Sequence, residues 1–289
     1  MFRGSIVALV TPMTEDGAID FNGLKCLIDW HIENDTDAFV LLGSTGEGIC
    51  LTEHERRDVL ATALAHINGR KPVMAGTGAS STAQTIELTR QAMSEGVDAC
   101  LVVAPAYNRP PQEGLYRHYA ALAEAVPLPI ILYNVPSRTA CDLLPETVAR
   151  LAKIANIVGI KDATGHLARL KEMQACCKDS LSYFSGDDPT ALEFMMQGGR
   201  GVISITANIA PKWMHELCEA ALQGEAEKAK IIDNKLADLH KLMCIEPNPI
   251  PVKWALSQLG FILPVLRLPL VPLSLAQQPR IAEALKILQ

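Results

Sequence analysis

Short apolar runs alternate with longer amphipathic stretches over most of the chain. Strand-like runs fall at 6–10, 38–42, 72–76, 99–104, 130–133, 157–161, 182–185 and 201–206. Each is followed by a segment with helical periodicity or helix-start chemistry. Thr52-Glu53-His54-Glu55, Ser81-Thr82-Ala83-Gln84 and Asp188-Pro189-Thr190 put a hydroxyl or carboxylate where the first N–H groups of a helix need an acceptor. Gly69, Gly96, Gly198 and Gly224 stand where helices are expected to close. This alternation predicts parallel βαβ units. An open doubly wound sheet shares the alternation, but G-x-G-x-x-G after the first strand and a P-loop are both missing. Eight units close naturally into a (β/α)₈ TIM barrel, so the expected fold class is α/β. Beyond Gly224 the strand pattern stops, and helical stretches continue at 228–243, 252–259 and 281–288. The expected organisation is a barrel over 1–224 and a C-terminal helical region over 225–289, packed on the barrel or on a partner subunit.

Composition narrows the function classes. Of 289 residues, 49% are hydrophobic and 20% charged, which fits a folded chain with a large core. A formal net charge of -6 and a pI near 5.7 give no basic footprint for nucleic acid or an anionic membrane. Small-molecule chemistry is the expectation. The eight cysteines form no C-x-x-C pair and no disulfide framework, so they read as small hydrophobes in a reducing compartment. The seven histidines lack ligand spacing, so no metal is expected, and most fall on helical stretches with a surface-facing register. The most apolar tract, 261–276, is interrupted by Pro264, Arg267, Pro269 and Pro272 and does not read as a membrane span. The N-terminus runs into the first strand without a cleavable leader, and a cytoplasmic enzyme is expected.

In barrels of this kind the chemistry gathers at the C-terminal ends of the strands. Lys161 ends the apolar run Ile157-Val158-Gly159-Ile160. A lysine amine that has lost part of its water shell has a lowered pKa and more free amine to attack a carbonyl carbon. The ordinary alternative is a strand-end lysine reaching solvent. Gly43-Ser44-Thr45-Gly46-Glu47-Gly48 ends the second strand, and its glycines let backbone and hydroxyls approach a carboxylate. A simple tight turn is the competing reading. Tyr133 ends the fifth strand as a candidate proton carrier or as a plug in the barrel mouth. Arg138 is placed to grip a carboxylate or to pair with a neighbouring aspartate. What these readings share is one face of one barrel.

The motifs G-S-T-G-E at 43–47, Y-N-V-P-S-R-T at 133–139, G-I-K-D-A-T at 159–164 and G-V-I-S-I-T-A-N at 201–208 together resemble the dihydrodipicolinate synthase family of pyruvate-dependent class I aldolases. The resemblance covers essentially the whole chain. It implies condensation of pyruvate, held as a Schiff base on Lys161, with L-aspartate 4-semialdehyde, and no cofactor. It further implies Tyr133 as general acid and base, relayed through Ser44 and through Tyr107 reaching in from a neighbouring subunit. Thr45 takes the pyruvate carboxylate, Gly186 and Ile203 line the pocket through main chain, and Arg138 takes the semialdehyde carboxylate. A homotetramer built as a dimer of dimers is the matching assembly. Related lyases share the lysine and tyrosine; the arginine at 138 favours the semialdehyde over a sugar acid. Another pyruvate-dependent lyase and a non-catalytic binding barrel are the rival readings.

Two departures matter. Position 44 is serine where the family usually has threonine, so the hydroxyl survives without the methyl that restricts its rotamer. Ala106 replaces a common second tyrosine, and Glu53, Arg56, Ser80 and Gln84 stand where lysine-inhibited relatives tend to have His, His, Asn and Glu. Gaining an arginine and losing a carboxylate weakens attraction for an ammonium group, so lysine feedback is expected to be weak or absent.

Overall fold

In a computed structural model describing residues 2–177 and 180–288, all eight apolar runs are strands of one closed parallel barrel, in the order of the chain. They are β1 (Gly4–Ala8), β2 (Ala38–Leu41), β3 (Val73–Gly76), β4 (Ala99–Val103), β5 (Ile130–Asn134), β6 (Ile157–Asp162), β7 (Ser182–Ser185) and β8 (Gly201–Ser204). β8 closes on β1 with Ile203 opposite Ile6. Because side chains alternate across a strand, each strand feeds two cores. Ile6, Val40, Met74, Leu101, Ile131 and Phe184 fill the barrel interior. Their neighbours Val7, Phe39, Val73, Val102, Leu132 and Tyr183 pack outward against the helices.

That outer ring is α1 (Phe21–Glu33), α2 (Glu53–Ile67), α3 (Thr82–Glu95), α4 (Gln112–Ala125), the short α5 (Pro136–Thr139), α6 (Pro145–Leu151), α7 (Leu167–Cys177), α8 (Ala191–Met196) and α9 (Pro211–Leu222). Thr52 caps α2 in a full capping box with Glu55, and Ser81 caps α3, as their sequences predict. Gly96 closes α3 at φ 94°, a conformation that disfavours any side chain. Asp188 behaves differently from its expected role as a helix cap. Its carboxylate leaves α8 and accepts hydrogen bonds from the Ile205 and Thr206 amides, both at 2.9 Å, tying β7's exit to the loop after β8. Of the seven histidines, His54, His66, His166 and His215 keep solvent exposure as expected, while His31, His118 and His240 are buried in the helical layer.

The C-terminal stretches form α10 (Ala226–Leu242), α11 (Ile250–Gln258) and α12 (Gln278–Leu285). α10 packs on α9, and α12 on α10 and α11. Among the described residues no helix is long and apolar enough to cross a membrane.

Candidate active site

β5 and β6 are neighbours in register, with Tyr133 opposite Lys161. Ile160 packs outward, so alternation turns Lys161 into the barrel mouth. Its ammonium nitrogen stands 4.4 Å from the centre of the Tyr133 ring. Lys161 is 5% exposed and has no carboxylate in salt-bridge range among the described residues. Burial lowers its pKa to about 8; the charge of Asp188 opposes the shift, and Arg138 adds to it. Tyr133 is raised above its ordinary value by burial, against the pull of Arg138 and of a hydrogen bond with Ser44. Gly186 gives the lysine stem room. A Cβ there would stand 2.8 Å from Lys161 Cε and 2.7 Å from the Ala163 methyl.

The turn after β2 is folded tightly enough to exclude side chains at specific points. Leu42 and Glu47 take left-handed φ values of 59° and 52°. A Cβ on Gly48 would lie 2.0 Å from the Leu42 carbonyl oxygen. Two anchors hold this turn. Arg56, buried on α2, donates to the Gly48 and Gly76 carbonyls, both at 2.6 Å. Glu47 reaches away from the cavity to accept from Lys253 of α11 at 2.5 Å and from the Arg267 amide at 2.9 Å. Both side chains of the Glu47–Lys253 pair are fully buried.

Ser44 and Thr45 are thereby presented to a cavity of about 420 Å³ that also receives Tyr133, Arg138, Lys161 and Gly186. Arg138 sits on α5, and its guanidinium donates to the Asn248 carbonyl at 3.2 Å. Asn248 in turn donates from its side-chain amide to the Thr45 hydroxyl at 2.9 Å. Six of the residues singled out from sequence therefore share one pocket. The other two do not line it in this chain. The Ile203 side chain lies in the barrel interior, with Ile205 at the cavity wall instead. Tyr107 stands 93% exposed at φ 71°, outside the cavity.

The sequence reading overlooked the segment 244–248, which forms one wall, and the Glu47–Lys253 pair beneath it. The only local hint was the Pro-flanked Glu246-Pro247-Asn248-Pro249, a stiff loop entering a helix. Among the described residues no cluster of three His, Cys, Asp or Glu could hold a metal. The geometry presents a partly neutral amine under a phenol, with hydroxyls on one side and a guanidinium on the other. That set can form an imine with a keto acid while holding carboxylates at two points.

Residues 1–288 match the model of the dihydrodipicolinate synthetase family. The 4-hydroxy-tetrahydrodipicolinate synthase of Alcanivorax borkumensis is 54% identical over 286 residues, 99% of this chain and 97% of that protein. The corresponding enzyme of Nitrosococcus oceani is 55% identical over 286 residues, covering 99% and 98%. Among solved structures, the chloride-inhibited dihydrodipicolinate synthase from Acinetobacter baumannii complexed with pyruvate superposes with a TM-score of 0.98, at 50% identity and 99% coverage of both chains.

Proposed function

Because this chain belongs to the dihydrodipicolinate synthetase family, we propose a residue-by-residue division of labour for its reaction. The reaction is the pyruvate-dependent condensation with L-aspartate 4-semialdehyde that gives 4-hydroxy-tetrahydrodipicolinate, a lyase step of diaminopimelate and lysine biosynthesis. Lys161 adds through its free amine to the keto carbon of pyruvate. The resulting hydroxyl takes a proton from the Tyr133 phenol and leaves as water, giving the iminium. Loss of a methyl proton yields the enamine, whose terminal carbon attacks the aldehyde. The new alkoxide takes up a proton, and the substrate's own amino group displaces Lys161 as the ring closes.

Ser44 and Tyr107 pass protons to and from Tyr133, with Tyr107 supplied by a neighbouring copy. Its exposure in the single chain supports that role. Thr45 binds the pyruvate carboxylate, Gly186 and the Ile203 main chain shape the pocket floor, and Arg138 binds the semialdehyde carboxylate. No cofactor takes part. The assembly is a homotetramer, a dimer of dimers, in the cytoplasm. Residues 1–224 act as the catalytic barrel, and 225–289 as a helical region that completes the pocket wall.

One observation carries this reading: a buried amine with a pKa of about 8 and no carboxylate in contact among the described residues, 4.4 Å from a tyrosine ring in the cavity at the barrel mouth. Borohydride added with pyruvate fixes the imine as a stable adduct on Lys161, read by peptide mass. No added mass on that residue refutes the reading.

Lysine feedback is weak or absent. The Arg56 guanidinium is spent on two carbonyls, and Gln84 brings no carboxylate to an incoming ammonium group. A steady-state curve with half-inhibition at sub-millimolar lysine overturns this.

A further inference from the structure

The two carboxylate grips of the pocket, Thr45 and Arg138, meet at one residue from outside the barrel. Asn248 lies on the loop before α11 and is 8% exposed. Its side-chain N–H₂ donates to Thr45 Oγ1 at 2.9 Å, while its main-chain carbonyl accepts from Arg138 at 3.2 Å. Its side-chain oxygen is buried with no hydrogen-bond partner among the described residues, in the wall of the cavity itself. Thr45 and Asn248 are 203 residues apart in the chain, so no local folding rule brings them together.

A threonine hydroxyl has one proton to give and lone pairs to accept with. Where a neighbour's N–H already occupies a lone pair, the hydroxyl has no call to spend its proton on that neighbour. We propose that Asn248 is a positioning residue that turns the Thr45 hydroxyl into a committed donor toward the keto-acid carboxylate. Its main-chain carbonyl, independent of the side chain, holds the Arg138 guanidinium for the second carboxylate. The inference rests on the assignment of Thr45 and Arg138 as carboxylate grips. It adds that the side chain at 248 governs the first substrate and the backbone at 248 the second.

The prediction is a split between substrates. Asn248→Ala raises the pyruvate concentration for half-maximal borohydride trapping by about tenfold, the loss expected for one oriented hydrogen bond to a charged group. The KM for the semialdehyde changes by less than about twofold, because alanine keeps the carbonyl that faces Arg138. Asn248→Asp, of the same shape, pulls the Thr45 proton toward itself and sets a negative charge near the pyruvate carboxylate. Its effect on pyruvate is at least as large as alanine's. In a Thr45→Val background, Asn248→Ala adds less than about twofold, since the hydroxyl it directs is gone. Circular dichroism and melting establish that each variant is folded; if Asn248→Ala is not, the isosteric Asn248→Asp carries the test.

An unchanged pyruvate requirement in Asn248→Asp overturns the proposal, because it means the side-chain oxygen, not the N–H₂, faces Thr45. A full additive effect in the Thr45→Val background, or an equal rise in both substrates' KM, overturns it as well. Failure of the parent chain to trap pyruvate on Lys161 is a different result: it sinks the catalytic assignment on which the inference stands.

Discussion

Lys161 at the end of β6 and Lys253 inside α11 are both buried, at 5% and 0% exposure, but among the described residues only Lys253 has a carboxylate in contact. Lys253 meets Glu47 at 2.5 Å in a fully buried pair, and Glu47 also accepts the Arg267 amide. Burial lowers the pKa of Lys253, while Glu47 pulls it back up. Lys161 has an aromatic ring for a neighbour, and its pKa falls to about 8. The same desolvation thus makes an anchor where a carboxylate is in contact and a nucleophile where none is. Burial alone does not mark a reactive lysine; the missing partner does.

The comparison breaks most sharply if the two lysines are exchanged for methionine. Lys161→Met lowers kcat for the condensation by roughly 10³-fold or more, since the covalent step loses its amine. Its melting temperature does not fall, because no buried partner is left uncompensated. Lys253→Met does the opposite: it strands the Glu47 carboxylate and lowers stability by about 3–5 kcal/mol, read from urea unfolding. Adding Glu47→Gln to Lys253→Met recovers most of that loss. A Lys253→Met protein as stable as the parent would erase the distinction.

A pH series sharpens it further. Only the free amine attacks, so the rate of pyruvate trapping rises as pH climbs through about 8 and then levels off. The folded pKa lies below the ordinary 10.5, so between about 8 and 10.5 the unfolded chain binds more protons than the folded one. Stability therefore rises with pH over that window, and Lys161→Met lacks this rise. The smallest effect is at the relay: Ser44→Thr restores the rotamer-limiting methyl and raises kcat by about two- to threefold or less.

The barrel was legible because each strand carries its own apolar run and several helices, α2 and α3 among them, carry their own start signals. β1 to β8 fall within a residue or two of the runs that announced them. Ser44, Thr45, Tyr133, Arg138, Lys161 and Gly186 were legible for a related reason: closing a parallel barrel sends all strand ends to one rim. The exceptions involve partners far away in sequence. Asp188 reads as a helix cap until the loop after β8 offers it two free amides. Asn248 and Lys253 carry no local signature of the turn they serve, 203 and 206 residues upstream. Arg56 reads as an open charge near a regulatory position, yet it is buried and bound to two carbonyls. Side chains committed to long-range polar contacts have no period for a sequence pattern to show.

The Glu47–Lys253 pair has a consequence for the life of the newly made chain. A ribosome adding about 5–20 residues per second finishes the Gly43–Gly48 turn roughly 10–40 s before Lys253 is polymerised. Throughout that interval Glu47 stays hydrated and the turn lacks its clamp. Catalytic competence therefore arrives late in synthesis, after the barrel strands are already made, and a nascent chain stalled before α11 carries its nucleophile without the geometry to use it.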